Sequence, residues 1–295
     1  MNKVKIITDS VSDILPETAS KLDIEVLPVT LLLDGKSYLD GADYTTEEFY
    51  RMLDNADEMP KTSQIPYLQF KELYLKAYNK GYTDLIYSSL ASIGSSTYSN
   101  ALLAKKEFFE ENPKANFNIY VVDGGNYSLN YGYPVIEAAK MIKREKPVNE
   151  IVDYLEDWSK SVEVYFAPFT LKFIRKSGRV SAAAAFAGEL LGLRPIIGLV
   201  DGVSSVPFKA RGDKAAMEKL IDYCEKRRIP DTPYIILHGD NLETTEEFKK
   251  MVIKRFGTEP VMTQAIGSAI ACHAGHNLVA IILKGQRRTR PGSTD

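Results

Sequence analysis

Five consecutive residues, Ser95 to Ser99, place four aliphatic hydroxyls at the end of an apolar run, inside the stretch LASIGSSTYSNA (90–101). Hydroxyls grouped without a lysine or arginine suggest hydrogen bonding to a small anion. A helix that begins at Ser95 or Ser96 presents free backbone N–H groups and the positive end of its dipole. Its Ser and Thr side chains then either cap the helix or donate outward to an anion. A second cluster, TSQIP (62–66), follows Met59-Pro60-Lys61 and precedes a helix starting near Tyr67. Two such corners suit a singly charged head group such as a carboxylate, whereas a polyphosphate calls for Lys, Arg or a metal.

Other chemistries find less support. The nucleophile pattern G-x-S-x-G is absent: SIGSST lacks the second glycine, and IGSAIA puts its serine next to Gly267. The chain has three histidines, His238, His273 and His276. His273 and His276 stand three apart in CHAGH, but Gly275 between them argues against a regular helix, and no carboxylate is adjacent in sequence. Asp9, Asp123 and Asp240 end strands, where capping and turn formation are commoner than Mg²⁺ binding. Neither GxxxxGK[ST] nor GxGxxG occurs, so no nucleotide-phosphate loop is expected, and no metal or cofactor with it. A stand-alone hydrolase or phosphotransferase using Ser95 or an Asp-bound metal stays open as the alternative.

The elements that must position these residues read as α/β. Short apolar runs alternate with longer amphipathic ones. Strands are expected at VKIIT (4–8), IEVLPVTLLL (24–33), DLIYSSL (84–90) and NIYVVD (118–123). Helices are expected after Pro16, from Thr45, from Tyr67 to Gly81, and from the hydroxyl corner to Asn112-Pro113. Further on, VEVYFAPF, RPIIGLVDG, VSSVPFKA, PYIILHGD, PVMTQAI and LVAIIL read as strands, with a hairpin at VDG (200–202). Helices are expected through AAAAFAGELLG, DKAAMEKLIDYCEKR and TTEEFKKMVIKRFG. The helical stretches LNYGYPVIEAAKMIKRE and KPVNEIVDYLEDWSK form a divider. A boundary near 155 separates an N-terminal parallel-sheet domain (1–155) from a C-terminal domain with a mixed sheet (156–286). The polar segment 287–295 is left out of the fold as a disordered tail.

The composition agrees. The 295 residues are 44% hydrophobic and 26% charged, with net charge −2, which gives no electrostatic reason for a nucleic-acid or anionic-membrane partner. Two cysteines make no disulfide framework. The start MNKVKIITDS holds no signal-peptide core and no apolar run is long enough for a membrane span, so a cytoplasmic protein is expected.

Five motifs in order carry a resemblance to a known family. MNKVKIITDSVSDI, LPVTLLLDGKSYLDGADYTTEEFY and PKTSQIP resemble the amino-terminal half of the DegV family, bacterial fatty-acid-binding subunits of fatty acid kinase. LASIGSSTYSNA is similar to that family's LSSxLSGTYQSA. LKFIRKSGRVSAAAAF resembles LxxLxKGGRI, RPIIGLVDG with KARGDKA resembles KPIL…DG…KxRxRKKA, and IGSAIACHAGH resembles IGPVIGTHxGPG. The match runs from about residue 3 to 283. Here the family glycine after the serine is Ser96, VVDGGNYSLNYG differs from VxDSxxxSxG, and CHAGH replaces THxGPG.

The resemblance implies a long-chain fatty acid, such as palmitate, stearate or oleate, in a tunnel between two domains. It implies that Thr62 and Ser95 contact the carboxyl group and that His273 joins the network. Ser63, Ser96, Thr97 and Arg179 are supporting members, and Lys209 and Arg211 face the kinase subunit. The carrier itself then performs no chemistry. The kinase makes an acyl phosphate, a step feeding phospholipid metabolism. The apolar residues at 182–185, with Phe186, Leu190, Leu191, Ile196 and Ile197, suit either a tunnel wall or an ordinary core. About fourteen methylenes at roughly 0.8 kcal/mol each supply on the order of 11 kcal/mol before costs, so the tail sets affinity and the head-group contacts set orientation.

Overall fold

A computed structural model describes residues 3–180 and 192–286. The helix expected through AAAAFAGELLG, the apolar residues 182–185, Phe186, Leu190 and Leu191, and the segment 287–295 lie outside the described residues. The chain divides into two units. The first holds residues 3–32, 37–43 and 62–159, and the second holds 33–36, 44–61 and the described residues from 160 on. Helix α2 therefore falls with the second unit, although its sequence lies in the N-terminal half. Among the described residues no helix is long and apolar enough to cross a membrane.

In chain order the first elements are β1 (Val4–Asp9), α1 (Pro16–Leu22), β2 (Ile24–Leu27), β3 (Thr30–Leu33), β4 (Lys36–Leu39), α2 (Thr46–Asp54), β5 (Lys61–Ser63) and α3 (Tyr67–Asn79). They are followed by β6 (Asp84–Ser89), α4 (Thr97–Glu111), β7 (Asn118–Asp123), α5 (Leu129–Lys143) and α6 (Val148–Ser161). The run expected as one strand over 24–33 is two. It breaks at Pro28, which has no N–H to give a ladder. β2 pairs in parallel with β1, while β3 joins a small sheet of order β4-β3-β5. Local chemistry fixes several ends. Pro16 opens α1, and Asp23 closes it in the left-handed region at φ 56°. Thr45 and Glu48 form a reciprocal capping box on α2, at 3.2 and 2.8 Å.

The first unit's main sheet is parallel, with order β2-β1-β6-β7. Its central strands are apolar on both faces, with Ile6, Ile7, Leu85, Ile86 and Tyr87 all buried, as a sheet covered by helices requires. Phe70 and Tyr74 of α3, Ala101 and Phe108 of α4, and Leu129 and Val135 of α5 are buried as well.

The second unit continues with β8 (Val162–Pro168), α7 (Ile174–Ser177), β9 (Leu193–Val200), β10 (Val203–Arg211), α8 (Asp213–Arg227) and β11 (Tyr234–His238). α9 (Leu242–Phe256), β12 (Met262–Ala265), α10 (Ser268–Ala274) and β13 (Leu278–Lys284) complete it. Its sheet has order β10-β9-β8-β13-β11-β12 and is mixed, since only β11 and β12 pair in parallel. The VDG hairpin forms as expected. Asp201 and Gly202 both take positive φ, 52° and 73°, which matches the twist of the two flanking strands. Leu220 and Ile221 of α8 and Phe248 and Val252 of α9 pack with Ile196, Ile236 and Ile281 of the sheet into one core. Ile196, read as tunnel wall or core, is a member of that core.

Candidate functional site

In an open parallel sheet the natural ligand position lies beyond the carboxyl ends of the strands, where the strand order reverses. In the first unit that is the gap between β1 and β6, the strands on which successive crossovers move in opposite directions. Asp9 ends β1 there, fully buried. Its carboxylate accepts from Tyr131 Oη at 2.6 Å, Tyr87 Oη at 2.9 Å and the Leu90 amide at 3.1 Å. Burial pushes its pKa up to about 6, with those donors opposing the rise. Burial and the nearby Asp9 charge push both phenols well above their usual range, so they remain donors. One acid therefore ties together the end of β1, the loop after β6 and the first turn of α5.

This arrangement predicts a pH signature. The folded state holds the Asp9 proton more tightly than the unfolded chain does. Its contribution is full below about pH 4 and is lost as pH rises through 6, worth on the order of 3 kcal/mol. Urea unfolding of the protein and of Asp9→Asn at pH 4 and pH 7 should show the variant gaining relative to the parent at pH 7. A difference that does not move with pH would count against a buried, titrating Asp9.

The hydroxyl corner lies in the loop after β6. Helix α4 starts at Thr97, with Ser96 as its exposed N-cap and no side-chain capping bond. Ser95 is half-buried. Its Oγ accepts from the Thr97 amide at 3.2 Å and shares a 2.9 Å hydrogen bond with Thr97 Oγ1. Thr97 is fully buried and also accepts from the Ile65 amide at 3.1 Å, while Asn100 Nδ2 donates to the Ile65 carbonyl at 2.8 Å. TSQIP and the α4 corner are thus stitched together within one unit by two α4 side chains bonded to the Ile65 backbone. Thr97 is the stitch. Thr62 lies half-buried on β5, and Ser63 beside it is exposed, as alternation along a strand requires. Ser63 consequently shares no face with Thr62. The hydrogen bonds of the Ser95 hydroxyl go to Thr97.

In the second unit His273 lies inside helix α10. Gly275, at φ 74°, follows the last helical residue. The glycine ends the helix after Ala274 and leaves His276 outside it, so no regular helix carries both histidines, as expected from Gly275. Burial, and secondarily the Arg179 charge, lower the His273 pKa to about 4. The ring is neutral near pH 7, so it can offer one N–H as a donor. Arg179 is itself exposed. Lys209 and Arg211 are exposed on one face of the edge strand β10, a place where cations also discourage edge-to-edge pairing.

A second cluster went unread in the sequence. His276 is buried, with Nε2 2.8 Å from Asp54 Oδ1 and Nδ1 3.0 Å from Asp240 Oδ2, the latter approach outside hydrogen-bond alignment. The Tyr50 ring stacks on it at 4.8 Å, and the Tyr50 hydroxyl donates to the Ile266 carbonyl. These bonds strap α2 to the end of the second sheet. Among the described residues no group of three or more His, Cys, Asp or Glu side chains is placed to hold a metal ion.

A parallel-sheet unit with a hydroxyl corner at its carboxyl edge, joined in one chain to a mixed-sheet unit, defines a two-unit α/β protein. The chain belongs to the DegV family, whose description, "Uncharacterised protein, DegV family", matches residues 3–285. A DegV domain-containing protein of Clostridium perfringens is 31% identical over 293 residues, 98% of this chain and 99% of that one. A Thermotoga maritima protein whose structure is said to reveal a fatty acid binding function is 28% identical, with TM-score 0.78 over 97% of this chain and 100% of that one. A fatty-acid-binding DegV family protein of Thermus thermophilus is 25% identical, with TM-score 0.83 over 96% of this chain and 100% of that one.

Proposed function

We propose that this protein binds a long-chain fatty acid such as palmitate, stearate or oleate. The hydroxyls of Thr62 and Ser95 hold its carboxylate, and neutral His273 donates one further hydrogen bond. The carrying observation is the stitched pair of corners in the first unit, set in a fold shared over nearly its full length with relatives that bind fatty acids. Hydroxyl and imidazole N–H donors match a single carboxylate, and no cation stands in the loop from Ala91 to Asn100. Thr97 holds the corner's shape. In this reading the protein catalyses nothing itself and presents the exposed acid end to a fatty acid kinase, with Lys209 and Arg211 offered to that partner, in the cytoplasm. An apolar enclosure for the tail supplies most of the affinity.

Native mass spectrometry of the purified protein tests the binding. We expect a species heavier than the bare chain by one long-chain fatty acid, released on denaturation. A protein that stays bare after incubation with oleate would refute the proposal.

A further inference from the structure

We propose that Tyr127 supplies a third hydroxyl to the head-group corner, seated there by Gly94; this rests on the fatty-acid reading above. Gly94 directly precedes Ser95, and its amide closes a turn onto the Ala91 carbonyl at 3.0 Å. A Cβ on Gly94 would lie 2.1 Å from Tyr127 Oη, 2.8 Å from its Cε1 and 2.9 Å from its Cζ. The phenol's polar end therefore occupies the space that a side chain next to Ser95 would take. Only a residue without a Cβ admits it. Any larger side chain at position 94 would collide with this ring.

The tyrosine is held from both sides. The Asn126 carbonyl accepts from the Ala91 amide at 3.0 Å, joining the loop after β7 to the loop after β6. Asp123 clasps the same two loops, with Oδ1 accepting from Ser92 N at 3.1 Å and Gly125 N at 2.8 Å, and Oδ2 from Ser92 Oγ at 2.5 Å. Asn130 Nδ2 donates to the Tyr127 carbonyl at 2.8 Å. The ring is half-buried, its backbone is fixed, and its hydroxyl end reaches the residue beside the binding serine. A phenol is a neutral donor, the same chemistry as the rest of the corner, and it needs no second charge.

The test uses the full chain freed of lipid, with oleate and oleyl alcohol as probes. The alcohol shares the tail and lacks the carboxylate. We expect Tyr127→Phe to weaken oleate binding about tenfold, the loss of one hydrogen bond to a charged group, while oleyl alcohol binding changes less than twofold. Gly94→Ala, which displaces the phenol, should reproduce that selective loss. Tyr127→Phe with unchanged oleate affinity overturns the inference and leaves the proposed function standing. Equal losses on both probes overturn it as well, since they assign Tyr127 to packing. If the parent protein binds neither probe, the function fails, and this inference with it.

Discussion

With Thr62 and Ser95 both replaced by alanine, the protein is expected to lose most of its hold on a fatty acid's carboxylate. Hydrogen bonds to a charged group contribute about 1.5–3 kcal/mol each, so removing two weakens oleate binding roughly a hundredfold or more. The tail still gains from leaving water, so binding weakens rather than vanishing. The acid end becomes poorly oriented, and acyl phosphate formation by an added kinase should fall at least as far. The fold is expected to survive. Thr97, not Ser95, bears the bond that joins the corner to Ile65, and that bond remains in the double variant. Titration with oleate beside a thermal melt checks both parts. Unchanged affinity in a folded double variant would remove these hydroxyls from the site.

Gly132→Ala is expected to be the most damaging single methyl group in the first unit. A Cβ there would sit 2.1 Å from the Ser12 carbonyl oxygen and 3.1 Å from its carbon, both backbone atoms. Helix α5 approaches the turn after β1 closely at this point. Around it the Ser128 amide donates to Val11 at 2.9 Å, and the Ser128 hydroxyl donates to Asp13. A side-chain tip could swing away, but a carbonyl locked in a turn cannot. Overpacking of this kind costs about 3 kcal/mol or more. It also pushes Tyr131, one residue earlier, away from Asp9. A melting temperature within a degree of the parent's would contradict this account of the helix contact.

Much of the fold was legible because its strands are short apolar runs and its helices carry their own end signals, such as Thr45 with Glu48 and Gly257 after α9. Two strands were not legible. β4 and β5 expose most of their three or four residues, so they show no apolar alternation to read. Helix α10 escaped because alanine, cysteine and serine on nearly every face give no amphipathic contrast. The two hydroxyl corners announced themselves by residue type. What joins them did not. The bond from Ile65 to Thr97 spans 32 positions, and that from Tyr131 to Asp9 spans 122. Such pairings leave no local spacing in a sequence. The strap of Tyr50 and Asp54 on His276 was hidden for the same reason, and the sequence division at 155 gave no hint that 44–61 falls with the later residues.

That excursion has a consequence for the order of events on a ribosome. Helix α2 emerges early, yet Phe49, Tyr50 and Leu53 on its apolar face belong with a unit whose first sheet strand, β8, has not been made. Until Ile266 and His276 are synthesised, that face lacks the contacts they make with Tyr50. The newborn chain therefore carries an apolar helix face short of its later partners through most of translation, a face open to chaperones and proteases before release.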